Sequence, residues 1–150
     1  MRKILFSLMV LIGLSAEAQL KGTWTGFGQW TFKGEGEGVH CSSMTMTWSE
    51  SDHEIAIEKG YFDCDLVALY LEKTSWLIQD GQLLDRDQNV VGRYDQQHFE
   101  VIMKNPEDQV QIHVQVDRVD NYYNYQETWF NSVEKIYVIK GRLFKAPSRF

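Results

Sequence analysis

Proline is nearly absent from this chain, whose 150 residues include only Pro106 and Pro147. Because proline has no backbone N–H to donate to a sheet, it is kept out of the interior of strands. Both prolines lie outside the strand-like segments given below. Few segments show the spacing of apolar residues that is typical of amphipathic helices. These two shortages favour a protein that is mostly β-strand.

Apolar and polar residues instead alternate in runs of about five to ten, the pattern of half-buried strands. Turn sequences such as Asp80-Gly81 separate the runs and favour antiparallel pairing of consecutive strands. Gly34, Gly36 and Gly38 predict a bend or bulge. We therefore predict an all-β fold, an antiparallel up-and-down β-barrel of about eight to ten strands. The predicted strands are 22–32, 36–48, 54–62, 65–72, 75–79, 82–86, 89–95, 98–104, 109–117, 121–130 and 134–144.

Long hydrophobic runs are also missing, since a membrane-spanning helix needs about 20 apolar residues. The one apolar run, residues 4–14, is shorter than this and follows Arg2 and Lys3. Ala16-Glu17-Ala18 then supplies the small-x-small pattern read by signal peptidase. We predict that residues 1–18 are a cleaved Sec-type signal peptide of a bacterial, periplasmic or secreted protein, and that 19–150 form one domain. No cysteine occurs before Cys41, so we expect no lipid anchor.

Positive charge is in deficit, with 15 Lys and Arg against 21 Asp and Glu. Loss of Arg2, Lys3 and Glu17 with the signal peptide would change the net charge from −6 to −7. Nucleic acids and anionic membranes bind clustered Lys and Arg, so we expect neither as a partner. The terminal Phe150 would suit an outer-membrane barrel. The predicted outer face of 111–117, however, carries a polar residue at every position, and a lipid-facing strand would not.

Cysteine is limited to Cys41 and Cys64, which predicts one disulfide in an oxidising compartment. A hairpin that turns between Asp52 and His53 brings the two cysteines within reach of each other. The same register places three pairs opposite one another: Trp48 with Ile57, Met44 with Tyr61, and Cys41 with Cys64. It also buries Met44, Met46, Trp48 and Ile57 together.

The strongest alternation runs from Val110 to Asp117, with apolar residues at the even positions. Turns at Val119-Asp120 and Asn131-Ser132 would set neighbouring strands in register. The predicted pairs are Val116 with Tyr123, Val114 with Tyr125, Ile112 with Glu127, Val110 with Trp129, Glu127 with Ile136, and Tyr125 with Val138. The resulting inward face is apolar and aromatic except for one carboxylate.

That carboxylate, Glu127, would cost several kcal/mol unless it is paired or neutralised. Lys140 and Arg142 share its predicted face, so a structural ion pair is one interpretation. A polar handle in a ligand cavity is a second, and a catalytic acid is a third. The predicted lumen residues are Trp30, Met46, Trp48, Tyr61, Tyr123, Tyr125, Glu127 and Trp129; such side chains either fill a small barrel or line a ligand site.

Motifs for metal or catalytic chemistry are missing as well. The four histidines are scattered, and no HxH, HExxH, CxxC or G-x-S-x-G spacing occurs. The run from Gly34 to Gly38 carries acidic residues that would repel phosphate. We expect no metal, no cofactor and no enzymatic reaction.

The mature chain opens with Leu20-Lys21-Gly22-Thr23-Trp24-Thr25-Gly26, and its G-x-W resembles the first strand of the calycin group of lipocalins, fatty-acid-binding proteins and avidins. In lipocalins an arginine on the last barrel strand packs over that tryptophan, and Arg142 matches its position. The resemblance implies a lipocalin-like barrel with an internal ligand site, and structural roles for Trp24 and Arg142.

Two functions follow as expectations. The first is an exported barrel that binds a small apolar or amphipathic ligand in its lumen. The second is a periplasmic protein-binding or inhibitor module with a filled barrel, whose acidic surface would dock on a basic enzyme through loops such as that around Asp85-Arg86-Asp87.

Overall fold

The computed structural model describes residues 20–104, 109–132 and 134–147, and these residues form eleven antiparallel strands and no helix. The predicted signal peptide and Phe150 lie outside the described residues. The strands are β1 (Gly22–Phe32), β2 (Val39–Glu50), β3 (Glu54–Cys64), β4 (Val67–Leu71), β5 (Thr74–Gln79), β6 (Gln82–Leu84), β7 (Val90–Tyr94), β8 (His98–Lys104), β9 (Gln111–Val119), β10 (Tyr122–Phe130) and β11 (Lys135–Lys145).

Ten of these strands close into a barrel, and β4 pairs with β3 outside it. Consecutive strands are neighbours around the wall, and β1 closes the ring by pairing with both β2 and β11. Trp24 of β1, for example, lies opposite Met46 of β2 and Lys145 of β11. The predicted all-β, up-and-down barrel is therefore confirmed, and closure removes the exposed edges that an open sheet would leave.

The β2–β3 hairpin contains two bulges that cancel each other. The pairs Cys41–Cys64 and Trp48–Ile57 are as predicted, but the register shifts between them at Glu58 and at Ser42. Because a shift of one residue turns every side chain to the other face, the predicted pairing of Met44 with Tyr61 is wrong. Met44 lies opposite Phe62.

Tyr61 consequently lies on the outside of the barrel, where 37% of its surface is exposed and its ring is 4.9 Å from that of Tyr70. Phe62 takes the interior position and is fully buried. The other consequence of the register, burial of Met44, Met46, Trp48 and Ile57, is confirmed.

The predicted registers of the last two hairpins are also corrected. In β9–β10 the turn is at Asp120-Asn121, and Tyr125 pairs with Val116 instead of Val114. This shift of two residues keeps every predicted face. In β10–β11 the shift is three residues, with Tyr125 opposite Gly141 and a bulge between Trp129 and Phe130.

An odd shift reverses the faces of β11. Tyr137, Ile139 and Leu143 therefore share the inward row, since they pair with inward residues of β10. Lys140 and Arg142 point outward and are exposed, so the predicted ion pair between either of them and Glu127 is not formed.

Aromatic side chains fill one end of the barrel. Trp24 meets Tyr123 edge to face at 4.4 Å, and Phe99 meets Trp48 and Trp76 at 5.1 and 5.4 Å. Such edge contacts are favoured by the ring quadrupoles. This end is closed by a packed core.

Leu20 covers the same end and is buried. Its carbonyl accepts a 2.8 Å hydrogen bond from Trp24 Nε1, and its N–H donates to Glu50 Oε2 at 2.9 Å. The hydroxyl of Tyr94 donates to the other oxygen of Glu50 at 2.6 Å. These bonds satisfy the polar groups that closure would otherwise bury unpaired.

The predicted disulfide between Cys41 and Cys64 is present. A disulfide is consistent with an oxidising, extracytoplasmic compartment. Among the described residues, no helix has the length and apolar character to cross a membrane.

Candidate ligand cavity

A cavity of about 310 Å³ lies inside the other end of the barrel. At about 30 Å³ for each water of the bulk liquid, it has room for roughly ten waters or one small molecule. Side chains from β3, β4, β5, β8, β9, β10 and β11 and from the β4–β5 connection line it. The lining residues are Ile57, Phe62, Leu69, Tyr70, Leu71, Glu72, Thr74, Met103, Ile112, Val114, Glu127, Trp129, Tyr137 and Ile139.

The path of β4 explains why the cavity is at this end. The first residues of β3, Glu54–Ile57, pair with β5, whereas its last residues, Gly60–Cys64, pair with β4. At Gly60 a Cβ atom would come within 3.0 Å of the Leu71 side chain, so glycine allows β4 to pack closely. Leu69 and Leu71 then extend the apolar lining beyond the barrel wall.

Glu127 is the buried carboxylate of this cavity, with 6% of its surface exposed. Side chains of a strand alternate between faces, so Tyr125, Glu127 and Trp129 share the inward face of β10. The Tyr125 hydroxyl donates a hydrogen bond to Oε2 of Glu127, and Trp129 Nε1–H donates to Oε1. The carboxyl is therefore held by two neutral hydrogen-bond donors, Tyr125 and Trp129, instead of by the predicted ion pair.

Burial dominates the electrostatics of this group. It raises the pKa of the Glu127 carboxyl above the ordinary value of 4.5, and the hydrogen bonds from Tyr125 and Trp129 oppose that rise. Burial, together with the nearby Glu127 charge, also raises the pKa of Tyr137. An indole N–H can only donate, so the position of Trp129 suits an acceptor oxygen on Glu127.

Aromatic rings form one wall beside the carboxyl. Trp129 and Tyr137 are stacked, with ring centroids 4.8 Å apart and an angle of 26° between the planes. Trp30 contacts Tyr137 in a tilted arrangement, with ring centroids 5.8 Å apart. Phe62 meets Tyr125 edge to face at 5.6 Å deeper in the barrel. Each ring of this wall is therefore in contact with another ring.

The charged side chains in the lining have one sign. Glu127 lies inside, the exposed Glu72 lies at the rim, and none of the described lining residues is Lys, Arg or His. Lys73, next to Glu72 in the chain, instead pairs with Glu58 at 2.8 Å. The described lining therefore carries acidic groups near its mouth and at its polar group, and no basic group.

The predicted lumen residues fall into four groups. Glu127 and Trp129 line the cavity, and Tyr125 lies directly behind Glu127. Nearer the closed end, the core packs Met46, Trp48 and Tyr123. Trp30 is partly buried against Tyr137, and Tyr61 is outside, as described above.

The sequence did not predict several of the lining residues, among them Phe62 and Tyr137. Phe62 was missed because the bulge at Glu58 gives it the interior position predicted for Tyr61. For Tyr137 a signal existed: the odd positions 137–143 of β11 carry no charge, whereas the even positions include Lys140 and Arg142. The uncharged row was the better candidate for the interior.

The structural role predicted for Arg142 is also corrected. Its guanidinium lies on the outer face, 5.5 Å from the ring of Tyr122. The cation over Trp24 is Lys145, whose Nζ is 5.7 Å from the indole. Lys145 and Trp24 are register partners on β11 and β1, so the first and last strands are still joined by a cation–π contact.

A polar cluster on the outer wall centres on Glu100 of β8. Its carboxylate accepts hydrogen bonds from His113 Nε2 at 2.8 Å and Arg93 Nε at 3.0 Å. Burial acts to raise the pKa of Glu100, but His113, His98 and Arg93 outweigh it and lower the pKa. The cluster joins three neighbouring strands, β7, β8 and β9, across the outer wall.

No set of three or more His, Cys, Asp or Glu side chains in the described part of the chain is arranged to hold a metal ion. The loop around Asp85 is held by its own contacts, since the Asp85 carboxylate accepts hydrogen bonds from the backbone N–H groups of Asp87 and Asn89, both at 2.9 Å.

In comparisons with known proteins, no family model matches the chain and no curated protein is significantly similar to it.

Proposed function

We propose that this protein is an exported binding protein that holds one small, mostly apolar ligand in the lumen beside Glu127. The observation that carries the proposal is an apolar cavity of about 310 Å³ with a single buried carboxyl in its wall. Concave apolar sites with few polar groups are the usual form of small-molecule sites. The disulfide and the signal-peptide pattern support export to a periplasmic or extracellular compartment.

The energetics of Glu127 support a binding role. Burial raises the pKa of its carboxyl, so ionisation at neutral pH costs folding free energy. A glutamine of the same shape would avoid that cost, because its amide oxygen could accept from Trp129 while its amide N–H donates to the Tyr125 hydroxyl. A carboxyl in a cavity wall is therefore better explained by a ligand than by stability.

Native mass spectrometry of residues 19–150, purified from the periplasm, tests the proposal. The expected result is an added mass that disappears on denaturation. Fluorescence titration with a panel of small amphipathic compounds gives a second measurement, since Trp129 lines the cavity and its emission would change on binding.

A matched pair of variants locates the site. Ile112→Phe would fill part of the cavity, whereas Ile102→Phe adds the same bulk on β8, where Ile102 is 42% exposed. Binding should be lost in the first variant and kept in the second. Equal affinity in both variants would place the ligand elsewhere.

A second candidate function is a protein-binding module. Phe27 and Phe144, 6.5 Å apart, are exposed on the outer wall, and Tyr122 and Arg142 lie beside them. Aromatic and Arg side chains are enriched where binding energy concentrates in interfaces. Inhibition of a basic lytic enzyme by the wild type, and its loss in Phe27→Ser/Phe144→Ser, would support this function; inhibition unchanged by these substitutions would not.

A further inference from the structure

We propose that the lumen ligand is a small organic cation, an amine or ammonium on a short apolar body, whose positive group pairs with Glu127. This inference rests on the proposed function and specifies its ligand class. Three independent features of the cavity support it.

The first feature is unused acceptor capacity on Glu127. A carboxylate offers about four lone-pair sites, and Tyr125 and Trp129 occupy one on each oxygen. The cavity is in contact with the same carboxyl. An ammonium donates up to three hydrogen bonds and accepts none, so it complements the sites that remain.

The second feature is the missing counter-charge. The two cations predicted to pair with Glu127, Lys140 and Arg142, point outward, and the described lining contains only Glu72 and Glu127 as charged groups. A buried carboxylate without a cation is costly, and a cationic ligand would offset that cost. An anionic ligand would instead be repelled by both glutamates.

The third feature is the aromatic wall. The stacked rings of Trp129 and Tyr137 stand beside the carboxyl. Faces of Trp and Tyr rings attract ammonium groups, most strongly where water is excluded. Carboxylate and rings together therefore favour a positive group over a neutral or negative one of the same size.

Matched probes test the ligand class by isothermal titration calorimetry at about pH 8, well above the ordinary pKa of a glutamate. The aryl series is phenethylamine, phenethyl alcohol and phenylacetate, and the alkyl pair is hexylamine and hexanol. In the wild type each amine should bind about tenfold or more tightly than its alcohol. Phenylacetate should bind most weakly.

Variants identify the group responsible. Glu127→Gln should remove the amine preference and leave alcohol affinity within about twofold, with an unchanged near-UV circular dichroism spectrum as the folding control. Glu72→Gln, at the exposed rim, should reduce amine affinity by a smaller factor because solvent screens that charge.

The pH profile gives a readout that a merely structural role would not move. Amine affinity should fall as the pH decreases through the raised pKa of Glu127, and alcohol affinity should not. The other titratable groups around the cavity are Tyr125, Tyr137, the exposed Tyr70 of β4 and the rim residue Glu72. Burial raises the pKa of Tyr125 and of Tyr137, so these two stay neutral throughout.

The outcomes separate the two proposals. Alcohols or phenylacetate binding as tightly as the amines, or an amine preference that persists in Glu127→Gln, would overturn the cation inference and leave lumen binding in place. No binding of any probe, together with a bare mass in the native spectrum, would overturn both.

Discussion

Trp129 donates its indole hydrogen bond to the Glu127 carboxyl two residues earlier on β10, and the carboxyl has no cation among the described lining residues. Tyr125 donates to the other oxygen from two residues before. One strand thus supplies both the buried acid and its two neutral donors. We expect the ionised Glu127 to lower the stability of the folded protein and to strengthen the binding of the ligand.

Glu127→Gln should change how stability depends on pH. The pKa of Glu127 is raised in the folded protein, so in the window above 4.5 the folded state binds the proton more strongly and stability falls as the pH rises. The loss is about 1.4 kcal/mol per unit of pKa difference, and the variant should lack it. Urea unfolding of both proteins between about pH 4 and 8 measures the difference.

Relative to the wild type, the variant should gain stability with rising pH and level off above the folded-state pKa. A difference that is constant with pH would contradict this. Glu127→Ala is the control for the hydrogen bonds. It leaves the Tyr125 hydroxyl and the Trp129 N–H without their partner, at about 1–3 kcal/mol each, so it should destabilise at every pH.

Phe62→Ala and Tyr61→Ala form a test of the bulged register. Phe62 is fully buried and should cost about 3–5 kcal/mol on truncation. Tyr61 is 37% exposed and should cost less than about 1 kcal/mol. Chemical denaturation of the two variants measures both values. The reverse order would mean that β2 and β3 pair without the bulge at Glu58.

Phe62 and Tyr61 also show which features of the fold the sequence pattern predicts and which it does not. Alternation alone placed the strands, because turn residues and a period of two are local properties of the chain. It also kept the right faces in β9 and β10, where the register differs by two residues. It failed at Tyr61 and along β11, where bulges shift the register by an odd number. Bulges depend on packing between strands, so the pattern of one strand does not locate them, although the uncharged odd positions 137–143 did mark the inward row of β11.

The candidate site was predictable only in part for the same reason. Glu127 and Trp129 belong to β10, whose inward and outward faces were predicted correctly, and both residues line the cavity. The partner groups of Glu127 were misassigned because Lys140 and Arg142 depend on the β11 register. The position of the open lumen could not be predicted, since it depends on β4 pairing with β3 outside the barrel.

Removal of the disulfide should destabilise the protein by about 3 kcal/mol, the chain-entropy value for a loop of this length. Cys41 and Cys64 are 23 residues apart. Thermal melts with and without reductant measure the effect on the wild type. Cys41→Ala/Cys64→Ala serves as the control and should melt at the same temperature in both conditions; a wild-type melt unaffected by complete reduction would contradict the prediction.

Gly141→Ala should destabilise the barrel by about 1–3 kcal/mol through overpacking. An added Cβ would lie 2.5 Å from the sulfur of the buried Met44. Since that sulfur belongs to a flexible side chain, Met44→Ala should partly relieve the strain in the double variant. Unfolding free energies of the two single variants and the double variant give the coupling.

Gly28→Ala provides the contrast. Its Cβ would lie 2.1 Å from the backbone carbonyl oxygen of Lys140 as well as 2.5 Å from the Met44 sulfur. A backbone atom cannot move aside without breaking the sheet, so Met44→Ala should not rescue this variant. Equal rescue at both glycines would show that the β1–β11 pairing is looser than described.

The pairing of β1 with β11 also determines when the molecule can finish folding. Thr31 and Val138, which are bonded across this seam, are 107 residues apart. Contacts between distant parts of a chain form slowly, and barrels dominated by them fold in milliseconds to seconds. Until the last strand has paired, one edge of the first strand is free, which is a hazard for association with other chains. Pairing of β11 with β1 is therefore the step that ends this exposure.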